Sequence, residues 1–219
     1  MSARREEAVD AAMAIADEKG LAAVSMRAVA QRVGVTPMAL YPHVGSKAAL
    51  LDLMVGRLLS MLGEDPAMRA AADADWRTRL RVFASSARLG LQTHPWATGL
   101  LFDRPTVTPE AVAVIDKIYS ALLDAGVPGR EVPRVERLVS TFVLGYVASE
   151  VGGRFGPGEL DPRGRRGQLP EGALPAHARV AEALDAPVDW DEEFKQGFEE
   201  VLRLVESVAA GSRGGARAR

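Results

Sequence analysis

The chain has 219 residues, enough for one or two small domains with a genuine core. Its 47% hydrophobic and 26% charged composition is that of an ordinary globular protein, and scarce aromatics (5%) beside abundant Ala, Leu and Val favour helices over a sandwich or barrel. The absence of cysteine excludes a disulfide scaffold, a thiol nucleophile and a thiolate-held metal, and the three dispersed histidines (His43, His94, His177) suggest no metal cluster. A net charge of -2 excludes a polycation that coats nucleic acid, so any DNA contact must rest on a local basic surface. No apolar run approaches the ~18 residues of a membrane span, and residues 1–10 carry charges of both signs without an apolar signal core. The chain is therefore read as cytoplasmic, with no membrane partner and no cofactor.

Ala8, Ala11, Ala12, Ile15 and Ala16 recur at helical spacing and predict a helix over 4–19, stopped by Gly20. Ser25 is a good N-cap for a second helix to about Val33, with Val29 and Val33 on one face. Gly34 breaks it, and Thr36-Pro37 restarts a third: a capping hydroxyl, then a proline where its missing N–H costs nothing. Pro42 predicts that this helix stops at Tyr41. Ser46 caps a fourth, Lys47 to about Leu62, with Leu50, Leu51, Met54, Leu58 and Met61 as its apolar stripe. Residues 63–74 read as a hinge-like connection. Helices follow near 75–93, 95–102, 108–125, 129–152, 173–185 and 190–210, with breaks at His94-Pro95, Arg104-Pro105 and Gly126-Val127-Pro128. The Gly-, Pro- and Arg-rich stretch 152–172 lacks periodicity and predicts a mobile loop, and 211–219 reads as a disordered tail.

Two short helices about a glycine turn form a helix-turn-helix. Ala30 is small enough for the helices to cross closely, Gly34 permits a positive backbone angle, and Val35 and Leu40 tuck beneath the pair. In this motif the second helix enters the major groove, which puts Thr36, Pro37, Met38 and Tyr41 near base edges. Arg27 on the preceding helix is placed for a guanine edge or a phosphate, and Lys47 with the free amides behind Ser46 forms a phosphate clamp. Singly, each has a plainer reading: Tyr41 as core, His43 as a solvated turn residue, Arg27 and Lys47 as ordinary surface charges. Their joint occurrence around one turn lifts them.

Residues 4–60 resemble the DNA-binding domain of the tetracycline-repressor (TetR) family. The resemblance is carried by Gly20-Leu21-Ala22-Ala23-Val24-Ser25-Met26-Arg27, Ala30 to Gly34, Val35-Thr36-Pro37-Met38-Ala39-Leu40-Tyr41, His43-Val44, Ser46-Lys47 and Leu50-Leu51. It implies that Arg27, Thr36, Pro37, Met38, Tyr41, His43 and Lys47 lie at or near double-stranded operator DNA. Pro42 departs from the aromatic residue found there in several members, which touches one contact and not the domain. The expected architecture is all-α, with a helix-turn-helix domain over 1–62 and a larger helical ligand-binding and dimerisation domain over 63–210.

The second domain shows no Ser–His–Asp order, Gly-rich phosphate loop or metal spacing. Two broad apolar stripes stand out: Val132, Val135, Leu138, Val139, Phe142, Val143 and Tyr146, and then Phe194, Phe198, Val201, Leu202, Val205 and Val208. In the resembling family this helix pair forms a four-helix dimer interface, which fits a homodimer reading a palindrome; intramolecular core is the alternative. More loosely, the domain resembles that of the tetracycline repressors themselves through His94, Arg104-Pro105, Thr108-Pro109 and Leu144-Gly145 through Glu150. The resemblance implies inducer contacts on a helix ending before Arg104-Pro105. Its metal-holding histidine falls here at Leu100, and a second pocket histidine at Gly63, so tetracycline–magnesium recognition is not expected. The expected effector is a small organic molecule in an apolar cavity lined by Trp96, Leu100, Phe102, Arg104, Tyr119, Thr141, Tyr146 and Glu150. The expected function is a repressor released from its operator by that ligand. A regulator controlled by a protein partner, a ligand-responsive activator, and a small-molecule enzyme with a vestigial DNA domain are the alternatives.

Overall fold

The computed structural model describes residues 3–104, 108–155 and 174–215. Among them lie twelve α-helices and no strand. Alanine sets the geometry of the first unit. Helix α1 (Ala3–Lys19) buries Ala8, Ala11, Ala12 and Ala16 with Val9, Met13 and Ile15, and these short side chains let neighbouring helices approach closely. A 3-10 turn (Leu21–Ala23) leads to α2 (Met26–Val33), where Ser25 Oγ accepts the Ala28 N–H at 3.1 Å. Gly34 closes α2 in the left-handed region (φ 78°), and the Val35 N–H returns to the Ala30 carbonyl at 2.9 Å.

Helix α3 (Pro37–Val44) runs through Pro42 and does not stop at Tyr41 as expected. Pro42 removes only the bond its N–H would give to Met38, and Met38 lies in the exposed first turn, where water can satisfy that carbonyl. Thr36 occupies the N-cap, but its hydroxyl makes no capping bond. Helix α4 (Lys47–Gly63) starts at Ser46, whose Oγ accepts the Ala49 N–H at 3.1 Å.

The connection expected over 63–74 contains a short helix, α5 (Pro66–Ala70), capped by Asp65. Then come α6 (Trp76–Thr93), α7 (Ala97–Asp103), α8 (Pro109–Asp124) and α9 (Val132–Val151). The single helix expected over 173–185 is two short ones, α10 (Pro175–Arg179) and α11 (Ala181–Asp185), separated at Val180. Helix α12 (Trp190–Gly215) begins where Asp189 Oδ1 accepts the amides of Asp191 and Glu192. Its backbone continues to Gly215, so 211–215 are helical and not the start of a tail; one more turn of main-chain hydrogen bonding outweighs the glycine content there. Residues 216–219, and most of the loop expected at 152–172, lie outside the described residues.

Among the described residues two large apolar cores result, with a small third cluster of Leu91, Ala97 and Val147. One joins α1 to α4 around Val24, Val29, Leu40, Leu50 and Met54. The other joins α6, α8, α9 and α12 around Leu80, Leu122, Val135, Val139, Leu202 and Val205. Helix α4 belongs to both: Leu59 packs against each. Where α9 meets α12, Gly197 is a spatial necessity, since a Cβ there would stand 2.9 Å from Phe142 Cζ.

Backbone geometry separates two glycines. Gly34→Ala forces a left-handed alanine and is expected to cost about 1–2 kcal/mol. Gly90 lies inside α6 and faces open space, so Gly90→Ala is expected to gain up to about 1 kcal/mol. Urea unfolding of the two variants checks the opposite signs.

Candidate functional site

Met38 is 75% exposed and Tyr41 44% exposed, both large side chains on an otherwise well-packed unit. Thr36, Pro37, Arg27 and Lys47 are also exposed, and His43 is half-buried. Beneath them Leu40 and Val44 anchor α3, so this helix presents one face to the core and the other to solvent. Arg5 Nε donates to the His43 carbonyl at 2.8 Å and braces α3, while Arg32 forks onto Glu18 at 2.7 and 2.8 Å, tying the preceding helix α2 to α1. The Arg32 hydrogen bonds hold the Glu18 carboxyl below its usual range. Pro37 has no N–H to spend, and the uncapped Thr36 hydroxyl remains open to solvent. At the start of α4, Ser46 takes the Ala49 amide, leaving those of Lys47 and Ala48 without an intrahelical acceptor.

Between α4, α6, α8 and α9 lies a cavity of about 410 Å³. Leu58, Leu62, Phe83, Val114, Ile118 and Val143 are among its apolar walls, while Asp65, Ser86, Thr93, His94, Glu136 and Ser140 supply polarity. None of the eight residues expected to line an effector site lines this cavity. Leu100 is buried in the first core, and Trp96 packs against it. The Trp96 indole donates to Asp17 at 2.6 Å. Phe102 and Thr141 face solvent, and Tyr119 packs against the second core. Arg104 donates to the Ala48 carbonyl at 3.0 Å and pairs with Asp52. Glu150 is taken by Arg88, at 2.6 and 3.0 Å, and by Gln92. Tyr146 donates to the Trp190 carbonyl at 2.9 Å within an aromatic group that includes Phe142, Phe155 and Phe194.

The reason is rotation about each helix. Burial on α6 and α9 places His94, Glu136 and Ser140 toward the cavity, and the neighbouring Thr141, one residue along α9, faces solvent. The sequence did hold a signal: Glu136 and Ser140, four apart, share a face of a helix whose neighbouring stripe is valine. That stripe is also largely spent within the chain. Val132, Val135, Val139 and Val143 are buried, leaving Leu138 on α9 and Leu204 on α12, each 41% exposed.

His94 connects the two units. Its Nδ1 meets Asp17 Oδ1 on α1 at 2.8 Å, the atom that also accepts from Trp96. A carboxylate oxygen only accepts, so the ring proton sits on Nδ1. Among the described residues, no group of three or more His, Asp or Glu is placed to hold a metal ion, and no helix is long and apolar enough to cross a membrane.

Residues 8–54 match the family described as bacterial regulatory proteins, tetR family, and residues 70–208 match the tetracyclin repressor-like C-terminal domain. The chain belongs to the TetR family. It is 30% identical to the HTH-type transcriptional repressor DrrR1 of Streptomyces coeruleorubidus over 95% of this chain and 79% of that protein. It is 31% identical to an HTH-type transcriptional regulator of Saccharopolyspora erythraea, over 94% of this chain and 84% of that one. The crystal structure of a possible TetR family regulator from Streptomyces coelicolor A3(2) superposes with a TM-score of 0.77 at 25% identity, covering 93% and 99% of the two chains. This TetR-family protein is thus a helix-turn-helix transcriptional regulator, with the helical architecture that its sequence predicts.

Burial, with the Glu193 carboxylate adding, pushes the Tyr146 phenol up to about 12. An unfolded tyrosine titrates near 10, so the folded state holds this proton more tightly. The resulting stability is complete below about pH 10 and is lost as pH rises toward 12. Tyr146→Phe is expected to flatten that alkaline loss while giving up about 1 kcal/mol at neutral pH for the bond to Trp190. Urea unfolding across alkaline pH reads both effects.

Proposed function

We propose that this regulator is a homodimeric repressor that leaves its operator when a small organic ligand enters the cavity. The observation that carries the reading is the double membership of α4. Its first turn, with Lys47, lies beside the exposed face of α3, and Leu58, Met61 and Leu62 at its other end line the cavity. The two ends lie roughly 20 Å apart along one unbroken helix, at ~1.5 Å per residue. A ligand that presses on the wall therefore tilts the helix that positions the DNA-reading face. The contacts of His94 and Trp96 with Asp17, and of Arg104 with Asp52, join the same two units from the other side. A partner-controlled regulator called for a sealed domain, and the cavity runs against that reading.

Direct base contact falls to Thr36, Pro37, Met38 and Tyr41, with Arg27, His43, Lys47 and the free amides at the start of α4 on phosphates or nearby edges. Dimerisation falls to the exposed strip of α9 and α12 around Leu138 and Leu204, which brings two α3 helices to one palindrome. The protein is read as a binding protein and not an enzyme.

Binding to its own upstream intergenic DNA is the test. Lys47→Ala is expected to weaken binding across sequences and reduce the salt slope by about one. Tyr41→Ala is expected to cost about 1–3 kcal/mol and relax specificity. Wild-type binding no tighter than to random DNA at every upstream segment, or mutants equal to wild type, defeats the DNA assignment. For the dimer, Leu138→Glu with Leu204→Glu is expected to sediment as a folded monomer with lost operator affinity; an unchanged sedimentation coefficient defeats that interface.

A further inference from the structure

The inference concerns which ligand chemistry the cavity accepts, and it rests on the reading of that cavity as the effector site. Its walls are aliphatic and aromatic, but its charged lining has one sign. Asp65 and Glu136 face it, and no lysine or arginine is among the lining residues. Asp65 is already engaged, since its Oδ1 accepts the amides of Ala67 and Met68. Glu136 is different. It is 9% exposed, Oε1 accepts the Ser140 hydroxyl at 2.6 Å, and among the described residues it has no other hydrogen bond and no ion pair.

A carboxylate withdrawn from water without a counter-charge is costly, and a hydroxyl donor offsets only part of that cost. A ligand that brings a cationic N–H donor into an apolar enclosure supplies both the missing charge and the missing bond. An anionic ligand meets like charge with no lysine or arginine among the lining residues to offset it. We propose that the effector is an apolar, ring-sized molecule bearing a protonated amine, and that Glu136 receives the ammonium.

Three probes of matched shape separate the alternatives: naphthylmethylamine, naphthylmethanol and naphthoate, titrated into the full-length protein by calorimetry at neutral pH. The amine is expected to bind at least about tenfold tighter than the alcohol, with naphthoate weakest. Glu136→Gln is expected to reduce the amine preference to about twofold or less while leaving the alcohol unchanged. If that variant does not fold, Ser140→Lys serves instead: it places a cation four residues from Glu136 on the same helix face, and the preference is expected to move toward naphthoate. An alcohol that binds as tightly as the amine, or a preference that survives these substitutions, overturns the ammonium assignment. Gly90→Leu fills the cavity from an open position on α6 and keeps the two failures distinguishable. If Gly90→Leu blocks the probes but they show no charge preference, the cavity stands and the amine falls. If binding persists in Gly90→Leu, or no probe binds wild type, both readings fall.

Discussion

Helix α4 has two surroundings, and the packing of both helical units depends on it. Leu50, Met54 and Val55 of α4 are buried in the first core, and one turn later Leu58, Leu59 and Leu62 face the second unit and its cavity. An α-helix of this length is stiff, because each backbone bond reinforces the next, so displacement at one end reaches the other as rotation and not as bending. The middle of α4 packs against the start of α8 at Gly56, where Thr108 and Glu110 atoms lie 3.5 Å from where a Cβ would stand. The cavity wall and the exposed face of α3 therefore border the same helix.

Besides α4, the units are tied by apolar packing of Trp96, Leu100 and Leu101 against the first core and by polar, partly solvated contacts. Asp17 receives His94 and Trp96, and Arg104 reaches Asp52 and the Ala48 carbonyl. Half-exposed ion pairs of this kind contribute little individually, typically ~0–1 kcal/mol. That weakness suits the proposed switch. Coupling free energies between sites are typically ~1–3 kcal/mol, the same scale as a few such contacts. The ion-paired group of Arg88 with Glu150 and Asp191 does the opposite: it lies beneath aromatic rings and fastens α6, α9 and α12 into one block.

The DNA-binding unit was nearly fully legible in the sequence because its determinants are local. Ser25 and Ser46 cap the helices they precede, Gly34 adopts the positive φ its position required, and the alanines of α1 mark its buried face without reference to distant residues. Pro42 was misread for the same local reason: the rule that a proline ends a helix ignores whether the orphaned carbonyl can reach water. The lining of the cavity was poorly legible. Trp96, Arg104 and Glu150 carry the residue types expected of a ligand site, yet each is consumed by a contact with a residue more than 50 positions away.

Sequence alone determined that the chain is all-helical, where most helices begin, where the helix-turn-helix lies, and which family supplies the architecture. Those features depend on periodicity, caps and glycine conformation, which act within a few residues. The tertiary structure alone decided how each helix is rotated about its axis. It spent most of the α9 valine stripe inside the chain, turned Glu136 and Ser140 toward the cavity, and paired His94 with Asp17 across 77 positions. Rotation is set by how whole faces interlock at close packing, a condition that no local pattern contains.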